Sequence, residues 1–384
     1  MTNPSTPIET TGQLKEYLYV AIQLEHATIP PYLTTAYTAK IEANKASIDI
    51  IATVAKEEML HLTLAANLLN AIGGTPDLLG DGFVPQYPCH LPNGETDFEV
   101  SIAKFSDCAI DTFLNIERPS PPEGPGSQTA RVRSHGDIKY VEKSELRKET
   151  RGQGRGIIPH VTAQGSQGET IELHYWTIGE FYNGIRNGFK HLTDKLGEKN
   201  LFAGDKSRQI DPKYYFSAGG DLTRIVDLDT ALAAIELISD QGEGYTNETQ
   251  SMSGELAHYY RFEQIAKGTY YQEGDLPHQP SGNAFPRDYS AVYPIKKDAK
   301  IADYSAYPDI ERQARLFNGR YKRFLEKLNS AFNGQPDLFA GSYKDMYRIK
   351  REMEYLIRNP LSDTGENAAP TFEMTEFIYP PEDN

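Results

Sequence analysis

Glu58 and His61 stand three residues apart in Glu57-Glu-Met-Leu-His61. On a helix that spacing sets a carboxylate beside an imidazole. Ile51, Val54, Glu58, His61, Ala65 and Leu68 advance by 3, 4, 3, 4 and 3 residues, the seam spacing of a packed helix. Both polar groups therefore sit where apolar side chains belong, and an ionised glutamate facing a core is costly unless it is paired or ligated. A second Glu-x-x-His, Glu255 to His258, runs on to Phe262 and Ile265 with the same spacing. Glu25 follows Leu14, Leu18 and Ala21 on another apolar stripe, and Glu180 shares a face with Leu173, Thr177, Gly184 and Asn187. One glutamate from each of two helices and a Glu-x-x-His from each of two others is the ligand set of a two-metal carboxylate centre.

Either Glu-x-x-His alone is a weak signal, because such pairs usually cap a helix or face water. Four inward glutamates and two histidines in register with separate apolar stripes form a much stronger one. The expected metal-binding and catalytic set is Glu25, Glu58, His61, Glu180, Glu255 and His258. Glu243 competes with Glu255 for the last position, and Glu263 is a weaker rival. Carboxylate and imidazole ligands without thiolate favour iron or manganese. Two iron ions cycling between Fe2+ and Fe3+, with O2 as co-substrate, are the expectation, and manganese is the alternative. Four glutamates roughly neutralise two divalent ions, whereas without metal they repel one another and take up protons. Glu57, about 100° round the helix from Glu58, is assigned to a polar layer. His174 and His191 read as core or surface histidines, and Tyr259-Tyr260-Arg261 as packing.

Helical periodicity runs over about 12–40 and 46–72, an antiparallel hairpin ending at Gly73-Gly74. A loop-rich insertion over 75–168 follows, of a length usually reserved for function. It contains one short amphipathic helix within 98–116 and is expected to cover the site. Further helices are read at about 170–196, 229–241 and 254–266, then a second hairpin at 308–332 and 337–358 joined by Asn333-Gly-Gln-Pro336. The class is mostly α: a ferritin-like helical bundle over 12–268 including the insertion, and an extension over 269–384 whose hairpin packs on the bundle. Pro30 and Pro31, just over one turn beyond Glu25, are expected to kink or end the first helix beside the metals and to open room for a substrate.

The formal net charge of −15 over 384 residues disfavours nucleic acid, since phosphate binding needs concentrated Lys and Arg. The basic stretch over 131–155 reads as a solvated loop. No apolar run is long enough to span a bilayer. The polar N-terminus lacks a secretory pattern, so the expected compartment is the cytoplasm. Cys89 and Cys108 are expected to be small buried residues, with a single bridge between them left open. The expected partner is a small-molecule substrate, and a homo-oligomer is compatible with the sequence.

Gln23-Leu-Glu25, Ala27-Thr-Ile-Pro-Pro-Tyr32, Glu57-Glu-Met-Leu-His61, Leu64-Ala-Ala-Asn-Leu-Leu-Asn70 and Thr177-Ile-Gly-Glu-Phe-Tyr182 together resemble the ferritin-like domain of the iminophenylpyruvate dimer synthases. That is the family of chromopyrrolic acid synthase and its violacein-pathway relative. Gln241-Gly-Glu-Gly244 and His258-Tyr-Tyr-Arg-Phe262 extend the likeness, which covers about 12–268. The resemblance implies oxidative chemistry in natural-product biosynthesis on aromatic, amino-acid-derived substrates. It includes oxidative coupling of aryl-pyruvate imines, and haem is associated with some members. The leading expectation is a non-haem di-iron oxidase or oxygenase. Oxidative dimerisation of an aryl-pyruvate imine and ferritin-like iron oxidation or storage are the alternatives.

Overall fold

The computed structural model describes residues 8–94, 98–119, 129–134, 137–142, 161–164, 170–173, 175, 177–215, 219–243, 249, 254–362 and 364–380, with backbone only for the four strand segments within 129–173 and for 243. Helix α1 spans Thr11–Thr38 and α2 spans Ile41–Ala71. Thr10 starts α1 with a capping box: its hydroxyl accepts from the Gln13 N–H, and the Gln13 side chain accepts from the Thr10 N–H. Gly73, at φ +71°, ends the second helix in a conformation that glycine adopts without strain.

The first helix does not end at Pro30-Pro31, and the expected stop there is corrected: α1 carries both prolines inside it and continues to Thr38. A proline ring supplies no N–H, so Pro31 leaves the Ala27 carbonyl without its helical donor. The Tyr87 hydroxyl donates to that carbonyl at 2.8 Å, a tertiary bond in place of the missing local one. Ala27 is 1% exposed, so Tyr87→Phe strands a buried acceptor. The expected cost is about 1–3 kcal/mol, read as a lower denaturation midpoint; an unchanged midpoint would show that Tyr87 does not complete the helix.

Helix α3, Asp107–Ile116, starts at Ser106, whose hydroxyl accepts from the Ala109 N–H. The expected helix at 98–116 is thus shorter, and its first part is extended, with Cys89 and Val100 pairing across an antiparallel bridge. Two small antiparallel ladders follow, β1 (Thr129–Ser134) with β2 (Asp137–Glu142) and β3 (Val161–Gln164) with β4 (Thr170–Leu173). Of the expected insertion, 95–97, 120–128, 135–136, 143–160 and 165–168 lie outside the described residues, and so does His174. Helix α4 begins at Ile178, not near 170, and runs to Leu196; the Thr177 hydroxyl accepts from the Glu180 N–H at its start.

Helix α5 spans Leu228–Glu243, and α6, His258–Lys267, stops at Gly268 in the left-handed conformation. The fifth expected helix therefore starts at His258, not near 254. Helices α7 (Pro308–Phe332) and α8 (Asp337–Arg358) form the C-terminal hairpin. The bundle pairs α1 with α2 and α4 with α5; α1 faces α4, α2 faces α5, and α3 packs on α6, which itself lies against α2 and α5. Helix α8 lies against α1 and α7 against α2. Buried apolar side chains from bundle and hairpin form one continuous core, in which Phe181 stacks on Tyr17 at 5.7 Å between centroids. Each such ring buried contributes about 1.5–3 kcal/mol. Cys89 is half-buried, Cys108 is exposed, and both are free, so the expectation of two buried cysteines is corrected.

Candidate metal centre

The long helices α1 and α2 bring Glu25, Glu58 and His61 together, and α6 adds His258 from its first residue. All four are 2% exposed or less. The fifth member is Glu117, which caps the C-terminus of α3 and is 3% exposed. Two triads result, Glu25 with Glu58 and His61, and Glu58 with Glu117 and His258. In each, one ligand-type atom per residue lies within 4.8 Å of the others. Glu58 belongs to both, so the arrangement is two adjoining sites that share one carboxylate.

The halves match in detail. The His61 Nδ1 faces Glu25 Oε2 at 3.5 Å and Glu58 Oε1 at 3.6 Å. The His258 Nδ1 faces Glu58 Oε1 at 3.0 Å and Glu117 Oε2 at 3.4 Å, with no hydrogen bond to either. A tyrosine hydroxyl holds the other oxygen of each outer glutamate: Tyr182 donates to Glu25 Oε1, and Tyr32 donates to Glu117 Oε1 at 2.5 Å. The imidazoles are anchored behind by Nε2, on Gln241 Oε1 at 2.8 Å for His61 and on Glu57 Oε2 at 2.9 Å for His258. A hydrogen-bonded Nε2 fixes the ring and leaves Nδ1 as the ligand atom, the usual support of a metal-bound histidine.

Charge balance tells the same story. Glu58 is pushed up to about 8 by burial and by the Glu117 carboxylate beside it. Burial also raises Glu25, but the His61 imidazole outweighs it and the net direction is down. Burial would lower both histidines, yet their carboxylate neighbours raise them overall, His258 well above its ordinary value. Burial and adjacent carboxylates keep Tyr32 and Tyr182 protonated, so both remain donors. Divalent ions replace the protons that such a buried cluster otherwise collects. Buried oxygen and nitrogen donors, with an imidazole nitrogen turned inward and unpartnered, fit a two-metal site.

Around this centre lies a polar layer. Glu57 is 0% exposed, and Arg261 Nη1 donates to its Oε2 at 2.7 Å. Burial raises the Glu57 carboxyl, but His258 and Arg261 bring it down to about 2. Gly219, at φ +85°, closes over this layer: a Cβ there would stand 2.1 Å from Glu57 Cγ, and its carbonyl accepts from the Gln241 amide. Only glycine lets the backbone come this near.

Two expected ligands lie elsewhere. Glu255 precedes α6; its side chain is 65% exposed and pairs with Arg261 Nη2 at 3.1 Å. Glu180 is half-buried in the first turn of α4 and belongs to neither triad, because the buried face of that helix carries Phe181, Tyr182, Ile185, Phe189 and Leu192. The rival Glu263 is buried but engaged by the Tyr271 hydroxyl and by His278 Nδ1 at 3.0 Å. The Glu243 side chain lies outside the described residues. His191 bonds Glu9 at 3.0 Å on the surface. Sequence reasoning missed Glu117, although Ile110, Phe113 and Glu117 carry the 3, 4 spacing that singled out the other glutamates. It also missed Gln241, Tyr32, Tyr182 and the part played by Glu57. If this geometry holds metal, Glu117→Ala lowers the bound metal from about two ions per chain to about one, whereas Glu255→Ala leaves it near two. Elemental analysis of the two variants checks this, and the reverse pattern contradicts it.

A helical bundle with buried carboxylates and imidazoles on its inner faces defines a ferritin-like protein. The family model for ferritin-like proteins matches residues 18–267, and the chain belongs to that family. It is similar to dichlorochromopyrrolate synthase of Lentzea aerocolonigenes, with 24% identity over 356 residues, 84% of this chain and 29% of that protein. The chain thus spans less than a third of that relative's length. Among solved structures, a ferritin-like protein from Caulobacter vibrioides shares the fold with a TM-score of 0.55 and 22% identity, over 91% of this chain and 96% of that one. Among the described residues no helix is long and apolar enough to cross a membrane.

Proposed function

We propose that this chain is a di-iron oxidoreductase that uses O2 to oxidise a small aromatic or amino-acid-derived molecule in natural-product biosynthesis. The observation that carries the reading is the pair of buried triads sharing Glu58. Glu25, Glu58 and His61 would hold one ion, and Glu58, Glu117 and His258 the other. Two irons bound there supply oxygen-activating redox chemistry.

The protein's own part is positioning. Tyr182 and Tyr32 each hold one oxygen of an outer glutamate and leave the second directed inward. Gln241 and Glu57 fix the two imidazoles, and Arg261 balances the Glu57 charge. Burial keeps water from the cluster and strengthens each of these interactions. An ion-holding site set among hydrogen-bonded side chains needs little rearrangement as charge develops.

Coupling of two aryl-pyruvate imines is the particular reaction implied by the resemblance of Glu57-Glu-Met-Leu-His61 and Thr177-Ile-Gly-Glu-Phe-Tyr182 to the iminophenylpyruvate dimer synthases. The test is to load the chain anaerobically with ferrous iron, add O2, and measure oxygen consumption with and without candidate aromatic amines and imines. Substrate-dependent oxygen use with an oxidised organic product is expected, and a product of doubled mass identifies coupling. Consumption set by iron alone, with many ions retained per chain, contradicts the proposal in favour of storage.

A further inference from the structure

Thr28 lies three residues beyond Glu25 on α1 and is 0% exposed. That spacing turns it to the face that carries Glu25. Its hydroxyl is 2.9 Å from the Glu25 carbonyl and 3.3 Å from Glu58 Oε2. The first contact is the back-bond that a helical threonine commonly makes; Thr34 and Thr38 make it to the Pro30 and Thr35 carbonyls at 2.8 and 2.7 Å. The second ties α1 to one particular oxygen of the carboxylate common to both triads. A hydroxyl has one proton to give, and an ionised carboxylate is the stronger acceptor. Glu58 is ionised when ions take the place of protons in the cluster, so metal loading favours the bond to Oε2.

Both imidazoles address the other oxygen. His258 Nδ1 is 3.0 Å and His61 Nδ1 3.6 Å from Glu58 Oε1, and the two rings lie 5.6 Å apart between centroids, 25° from parallel. The outer glutamates are divided in the same way. Glu25 has Oε1 on the Tyr182 hydroxyl and Oε2 toward His61, and Glu117 has Oε1 on the Tyr32 hydroxyl and Oε2 toward His258. Each carboxylate of the two triads therefore has one oxygen held by a neutral hydroxyl and one left for metal.

We infer that Thr28 is a positioning residue of the metal centre: by holding Oε2 it makes Glu58 join both ions through Oε1 alone. Two ions on one oxygen stand closer than two ions on the separate oxygens of a carboxylate, an arrangement suited to a small molecule that touches both. The assignment rests on the two-metal reading of the cluster and adds the manner of bridging to it.

The test is the crystal structure of the chain loaded with Zn2+, a redox-silent ion that takes the same oxygen and nitrogen ligands at about 2.0–2.2 Å. In the wild type, Glu58 Oε1 should lie at that distance from both ions and Oε2 on the Thr28 hydroxyl. The ions should stand at or below the short end of the roughly 3.5–4 Å usual for paired metals. Thr28→Val and Thr28→Ala remove the hydroxyl; Oε2 should then bind one ion while Oε1 keeps the other, and the separation should lengthen by several tenths of an ångström. Thr28→Ser keeps the hydroxyl and should restore the wild-type arrangement. A wild type with its two Glu58 oxygens on different ions, or hydroxyl-free variants bridged through one oxygen as in the wild type, overturns the role of Thr28 and leaves the two-metal reading intact. Empty sites in the wild type overturn both.

Discussion

Glu58→Ala is expected to empty both metal positions at once, taking bound iron from about two ions per chain to below about 0.3. The reason is geometric: Glu58 is the one residue common to both triads, whereas Glu25 and Glu117 each serve one. The same change removes a carboxyl whose ionisation is opposed by burial and by Glu117. The metal-free variant should therefore be no less stable than metal-free wild-type chain, while only the wild type gains stability when iron is added. Thermal melts with and without iron separate the two effects. A Glu58→Ala chain that still holds an ion at either position shows that the two sites do not share this ligand.

The second large effect is on stability. Arg261 is the cation that balances Glu57 behind His258, with side chains only 11% and 1% exposed. Arg261→Ala leaves a buried carboxylate with the imidazole alone, and removing one partner of such a pair costs about 3–5 kcal/mol. Replacing both, with Glu57→Gln and Arg261→Met, should recover much of that loss because no uncompensated charge remains. Denaturant unfolding measures the set. A single-variant loss under about 1 kcal/mol would mean that the pair behaves like an exposed salt bridge.

Glu25, Glu58 and His61 were visible in the sequence because each lies deep inside a long helix, where 3, 4 spacing maps directly onto one face. The Glu255-x-x-His258 pattern misled because both residues must be helical for that spacing to place them side by side. Helix α6 begins only at His258, and Glu255 turns outward to Arg261. Glu180 was placed by carrying one helical stripe through Thr177, which is an N-cap. Thr170-Ile-Glu-Leu173 upstream alternates with period 2 and pairs as a strand, a pattern too short to stand apart from a helical reading.

Glu117 closes a ten-residue helix inside an insertion with little periodicity of its own, so its approach to His258 depends on the packing of α3 against α6. Pro30 and Pro31 show the same limit from the other side. The local rule predicts a break, and a tyrosine distant in sequence supplies the missing donor. Helix existence and apolar faces are local properties. Which segment completes a buried charge cluster is a tertiary one.

Anomalous scattering at the iron edge from crystals of the iron-loaded chain locates the metals themselves. Two peaks are expected, one among Glu25, Glu58 and His61 and the other among Glu58, Glu117 and His258, with Glu58 beside both. No peak in this cluster, a single peak, or peaks drawn to Glu180 or Glu255 instead would contradict that arrangement.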